Sequence, residues 1–158
     1  MTRVPFTYTW IEQEKILAGS IPTSQADVDV LRNMGVQSII TLTRRNIADE
    51  FNLGIINQRQ FSIPDGGLDE QAVLKAAAFL DFVYEDYPAA YVHCRGGIGR
   101  TGTVLLAYYV LYRDKSLAEA REIVKVRRNY EGNASAIDQG SPQREWIDGL
   151  EARGIHDD

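Results

Sequence analysis

The sequence predicts an α/β fold: a central, mostly parallel sheet of about four to five strands flanked by helices, in a single domain over residues 1–158. Three observations predict it. Short β-like runs alternate with stretches whose apolar residues recur three and four apart, the pattern of a sheet covered by helices on both faces. Gly35, Pro64 and Pro88 fall between those runs as punctuation, where turn chemistry belongs. No repeat, low-complexity tract or Pro/Gly/Ser-rich linker divides the 158 residues, a length that suits one core.

Each element follows in order. "YTWI" and "KILAG" read as two short strands near the start, at an edge where strands can run antiparallel. Ser24 can cap a helix through Leu31 and Met34 that stops at Gly35, the residue type favoured just past a helix end. "VQSIITLT" is dense in β-branched residues and is the clearest strand; "INQRQFSI" is a second, ended by Pro64. From Leu68 to Asp86 the positions Val73, Ala76, Ala77, Leu80 and Val83 line one face of an amphipathic helix. "AAYVH" is a short buried strand, followed by an apolar helix from about Arg100 to Tyr112. Ser116 and Glu119 have capping-box spacing at the head of "SLAEAREIVKVRR". Ser141 before Pro142 marks a last helix start.

Composition narrows the function. A net charge of −5 argues against a general grip on nucleic acid or an anionic membrane, both of which need a basic face. The apolar run Val104 to Tyr112 is far shorter than the ~20 residues of a membrane span. The single cysteine cannot form an internal disulfide, and the opening "MTRVPFTYTW" lacks a long apolar signal segment, which fits a reducing cytoplasm. A monomer is expected. Two histidines without clustered carboxylates supply no metal ligand set, and no cofactor is implied.

That cysteine lies in "HCRGGIGRT", His93 to Thr101, between the strand "AAYVH" and the apolar helix. In such sheets, ligands bind where loops leave the carboxyl ends of the strands. Gly96, Gly97 and Gly99 allow a tight turn whose successive amides, Arg95 to Arg100 with Ile98 among them, can face one concavity suited to an anion. The helix that follows adds its positive end. Arg100 can close the ring with a two-pronged donor matched to phosphate oxygens. Thiols at helix N-termini beside guanidinium groups ionise readily, so the placement suits Cys94 to nucleophilic attack. A buried structural cysteine is the competing reading, but it gives Arg100 no task opposite a glycine cradle.

His93, Cys94, Gly97, Arg100 and Thr101 match the H-C-x-x-G-x-x-R-[ST] signature, and here the chain resembles the cysteine-dependent protein tyrosine phosphatase superfamily, especially its small atypical dual-specificity members. "SIPDGG" and the stretch through "VKVRRNYEG" extend the likeness over most of the chain, about Tyr8 to Trp146. The resemblance implies that Cys94 attacks phosphorus to give a cysteinyl-phosphate, with Arg100 and the loop amides holding the equatorial oxygens. It implies that Thr101 hydrogen-bonds the sulfur when water cleaves that intermediate. His93, at the end of a strand, is expected to point away from the cup and to orient the loop through backbone.

Departure of the leaving group needs an acid. Asp65, 29 residues before Cys94 in the loop "IPDGG", sits where the family places one. Asp69 competes but stands where it would cap the next helix. A late polar residue commonly positions the water in this family; Gln143 matches loosely and Gln139 is close enough to compete. The implied substrates are phosphoproteins or phosphopeptides bearing phosphotyrosine, and phosphoserine or phosphothreonine besides. The alternatives are inositol phosphates, phosphoinositides or RNA 5′ ends on the same loop, and a phosphate-binding module without turnover. Arg95 is the one basic residue between Cys94 and Arg100, while "TRR" at Thr43 to Arg45 could add positive charge beside the pocket.

Overall fold

A computed structural model describes residues 6–65, 67–96, 99–128 and 142–150; the side chains of 125–128 and 142–144 lie outside that description. Strand β1 (Tyr8–Glu12) pairs antiparallel with β2 (Ile16–Gly19), and β3 (Ser38–Thr41), β4 (Asn57–Gln60) and β5 (Ala90–His93) complete a five-stranded sheet in the order β1-β2-β5-β3-β4. The β2–β5, β5–β3 and β3–β4 pairs are parallel. The mostly parallel sheet with an antiparallel N-terminal edge is therefore as expected.

Side-chain alternation along the strands sorts the core into two layers. Ile16, Ala18, Ile40, Leu42, Ala90 and Val92 pack with α2 (Glu70–Asp86), α3 (Gly99–Tyr112), α4 (Leu117–Arg128) and α5 (Pro142–Asp148). Leu17, Ile39 and Tyr91 face the other way, onto Val28 and Leu31 of α1 (Gln25–Asn33) and onto Ile47. Helix α3 is buried at every position from Arg100 to Val110, which explains why its sequence is apolar all round rather than striped.

The helix ends follow local chemistry. Ser24 accepts from the Asp27 amide at the start of α1, and Gly35 follows its end at φ 93°, a left-handed conformation that glycine adopts without strain. Ser116 and Glu119 satisfy each other's amides at 3.0 and 2.9 Å at the head of α4, completing the capping box. Gly19 has a different role. A Cβ there would lie 2.1 Å from the Thr7 carbonyl, so only glycine lets β1 pass this close to β2.

Strands β3 and β4 are shorter than "VQSIITLT" and "INQRQFSI". Beyond Thr41 and Gln60 the pairing continues only as single bonds, Phe61 N–H to Thr41 and Ile63 N–H to Leu42 at 2.8 and 3.0 Å. Leu42 and Ile63 are still buried in the core there, so the two segments stay packed while the regular ladder stops. A short 3-10 turn, Ile47–Asp49, was not expected from the sequence; Asn46 caps it by accepting from the Ala48 amide. The parallel register puts Gly19, His93, Thr41 and Gln60 side by side, so the loops after β2, β5, β3 and β4 leave from one end of the sheet.

Candidate active site

Cys94 lies immediately after β5, buried, with the loop to α3 in front of it. Arg95 and Gly96 are exposed, and the Arg95 carbonyl accepts from the Ile21 amide at 3.1 Å, which ties the loop to the chain leaving β2. Gly97 and Ile98 lie outside the described residues. A Cβ on Gly96 would meet nothing within 4 Å.

Arg100, in the first turn of α3, is buried. Its Nη1 donates to the Ile63 carbonyl at 3.0 Å, and its Nη2 stands 3.6 Å from Asp65 Oδ1. The two prongs thus grip the segment that carries Asp65. Asp65 is 78% exposed at its side chain. Asp69 instead accepts from the Ala72 amide at 3.1 Å, engaged as the α2 cap.

Thr101 is fully buried, and its hydroxyl has no hydrogen-bond partner among the described residues. An unmade bond of this kind costs about 1–3 kcal/mol, and such groups are few in native structures. Gln143 lies in α5 with its side chain outside the described residues, and Gln139 is outside them altogether.

His93 is completely buried and stacked on Tyr91 with ring centroids 5.8 Å apart. Its Nε2 is 2.9 Å from Thr41 Oγ1, and its Nδ1 is 3.2 Å from the Cys94 carbonyl oxygen. Burial, followed by the Arg100 charge, lowers its pKa to about 4 against the opposing bond to Cys94. The ring is therefore neutral at pH 7.

Basic residues stand on the rim beside β3. Arg45 is paired in two-pronged fashion with Glu50, while Arg44 is exposed. The backbone beneath them is fixed: Gln60 Nε2 donates to the Thr43 and Arg44 carbonyls at 3.0 and 2.9 Å, and Thr43 Oγ1 donates to the Arg45 carbonyl at 2.6 Å. Sequence reading missed Thr41, Gln58 and Asn46, which join His93 behind the loop. The available signal was Thr41, a polar residue inside a run that must be buried.

A cysteine between a parallel strand and a helix, with a buried arginine one turn on and a carboxylate brought to it, defines the class of protein tyrosine phosphatase-like domains. The structure of Tk-PTP in its active form shares this fold, with a TM-score of 0.74 at 20% identity over 92% of this chain and 97% of that one. Residues 5–139 match the family described as PTP-SAK: Swiss Army Knife protein, DSP-PTPase phosphatase domain, and the chain belongs to that family. Relatives include the mouse dual specificity protein phosphatase CDC14B, 26% identical over 77% of this chain and 27% of its own length. Another is the phosphatidylglycerophosphate phosphatase PTPMT2 of Arabidopsis thaliana, 26% identical over 75% of this chain and 55% of its own. The chain thus spans between about a quarter and about half of these relatives' lengths. No helix among the described residues is long and apolar enough to cross a membrane.

Proposed function

We propose that this domain is a metal-independent phosphomonoester hydrolase that acts on phosphotyrosine, and on phosphoserine or phosphothreonine, through a cysteinyl-phosphate intermediate. The observation that carries this reading is the 3.6 Å approach of Arg100 to Asp65. It joins the proposed anion-binding cation and the proposed acid across 35 positions of sequence, near a buried cysteine that directly follows β5. Cys94 sulfur forms a bond to phosphorus while the ester P–O bond breaks, and Asp65 gives its proton to the departing oxygen. Water then attacks phosphorus and gives its proton to the Asp65 carboxylate, the S–P bond breaks with its electron pair left on sulfur as thiolate, and inorganic phosphate leaves. Thr101 supplies its unpartnered hydroxyl to the departing sulfur in that step. Gln143 is proposed to position the water, with Gln139 as its competitor. Nucleophile, acid and oxyanion donors come from the chain itself, so the chemistry assigns no task to a metal or cofactor. We place the enzyme in the cytoplasm as a monomer, where its lone thiol stays reduced.

Release of phosphate from a small aryl phosphate in the presence of chelator tests the reading. Cys94→Ser is expected to abolish it, and Asp65→Asn to slow turnover by about 10²- to 10⁴-fold for esters with poor leaving groups but little for nitrophenolate. Full activity of Cys94→Ser would end the proposal.

A second substrate reading, phosphoinositides or inositol phosphates, is favoured by exposed Arg44 and Arg95, on neighbouring loops whose backbones are held in place. Two such cations suit a substrate with a second anionic group. A matched panel of phosphopeptides, phosphoinositides and inositol phosphates decides between them. Arg44→Ala should then reduce turnover of the doubly anionic substrates selectively.

A further inference from the structure

Behind the loop, a line of side chains crosses three strands from the β4 edge to the Cys94 carbonyl. Asn46 Oδ1 accepts the Ala48 amide at 3.0 Å. A backbone N–H can only donate, so the oxygen of the Asn46 amide must face it. Gln58 lies 3.0 Å from that same oxygen and must therefore present its nitrogen. The second hydrogen of Gln58 Nε2 is directed at Thr41 Oγ1, 2.9 Å away. At the other end the Cys94 carbonyl, 3.2 Å from His93 Nδ1, can only accept, so the ring, neutral at pH 7, carries its proton on Nδ1 and its Nε2 accepts. With Gln58 donating to Thr41 Oγ1, the Thr41 proton is free to complete the line to His93 Nε2 at 2.9 Å.

We propose that Gln58 and Thr41 are positioning residues that set the tautomer of His93 and, through its Nδ1–H, hold the first peptide of the anion-binding loop. The placement is deliberate in physical terms. Thr41 and His93 are register partners on adjacent strands and both fully buried, so neither can trade this bond for water. Tyr91 covers one face of the imidazole, and Arg100 is the charged group whose field reaches it. A donor on the Cys94 carbonyl polarises the peptide it belongs to, which makes the Arg95 amide a better and stiffer donor toward an anion. Bonds that run in one direction reinforce each other, whereas reversal at Thr41 would leave His93 Nδ1 as an acceptor facing a carbonyl oxygen.

The tautomer can be read directly from ¹⁵N shifts of the imidazole. The chain has two histidines, so His156→Gln assigns the His93 signals. The wild type is expected to show protonated Nδ1 and unprotonated Nε2. Thr41→Val and Gln58→Leu should move the signals toward the other tautomer or a mixture, and Thr41→Ser should keep them. Thr41→Val should also weaken binding of inorganic phosphate, and lower kcat on an aryl phosphate, by about tenfold, the scale of a slight misplacement of reacting groups; Thr41→Ser should restore both. A wild-type ring protonated on Nε2 overturns the proposal, as does an unchanged tautomer in Thr41→Val and Gln58→Leu. Altered shifts with unchanged phosphate affinity would refute the link to the loop. The kcat arm rests on Cys94 being the nucleophile; the shifts and the phosphate affinity do not, so failure of the proposed activity would be seen separately.

Discussion

At the scale of single residues, Arg100 shows why side-chain shape matters as much as charge. Its guanidinium spends one prong on the Ile63 carbonyl and turns the other toward Asp65, so the same group that would clamp an anion also holds the loop of the proposed acid against α3. A lysine carries the charge but is a point donor without the fork. Arg100→Lys is therefore expected to lower kcat on an aryl phosphate by about 10²- to 10³-fold, the cost of removing one oxyanion donor. The same variant should loosen the segment around Ile63 and Asp65, measurable as faster amide exchange there. A variant with near-normal kcat would show that charge alone suffices and that the two-pronged grip is incidental.

At the scale of elements, the end of the sheet opposite the site is pinned through Glu12. The β1 carboxylate accepts from Tyr84 of α2 at 2.6 Å, from Tyr109 of α3, and from Arg113 at 2.9 Å. Burial alone would raise its pKa, but the bonds from Tyr109 and Tyr84 and the Arg113 charge outweigh it and hold the carboxyl below its ordinary 4.5. Stability from this group is thus present above the ordinary carboxylate range and lost as pH falls through the lowered value. Glu12→Gln should cost about 1–3 kcal/mol at pH 7, with the difference from wild type closing in strong acid, as urea denaturation at both pH values would reveal. An equal difference at both would remove the charge from the explanation. Nothing in the sequence announced this cluster, because its members lie up to 101 positions apart and meet only when helices pack. By contrast, the caps at Ser24, Asp69 and Ser116 were legible, since each bond spans three residues. The site divides the same way. Cys94 to Thr101 could be read as one local motif, and Asp65 followed from its loop, but the Asn46, Gln58 and Thr41 line depends on the β3–β4 and β3–β5 registers.

At the scale of the whole molecule, the two ends of the sheet should fail at different acidities. His93 is held neutral, with its pKa lowered from an ordinary 6.5 to about 4, so the unfolded chain takes up a proton there before the folded one does. A depressed value means the stability is fully present above the unfolded pKa and lost as pH falls through the folded one. The window runs from about pH 6.5 down to about 4, and a shift of this size corresponds to roughly 3 kcal/mol across it. Glu12 keeps its full contribution through most of that window and begins to lose it only below its ordinary 4.5, because its folded carboxyl protonates below that value. Mild acid should therefore strain the β5 end, behind Cys94, while the Glu12 pin still holds the β1 hairpin to α2 and α3. Urea midpoints measured from pH 7 to pH 4 should fall steadily for the wild type and more shallowly for His93→Asn, whatever that variant's stability at pH 7. Parallel slopes for the two proteins would show that the ring is not the group that titrates, and a wild-type midpoint flat across this range would show that it is not held neutral by burial.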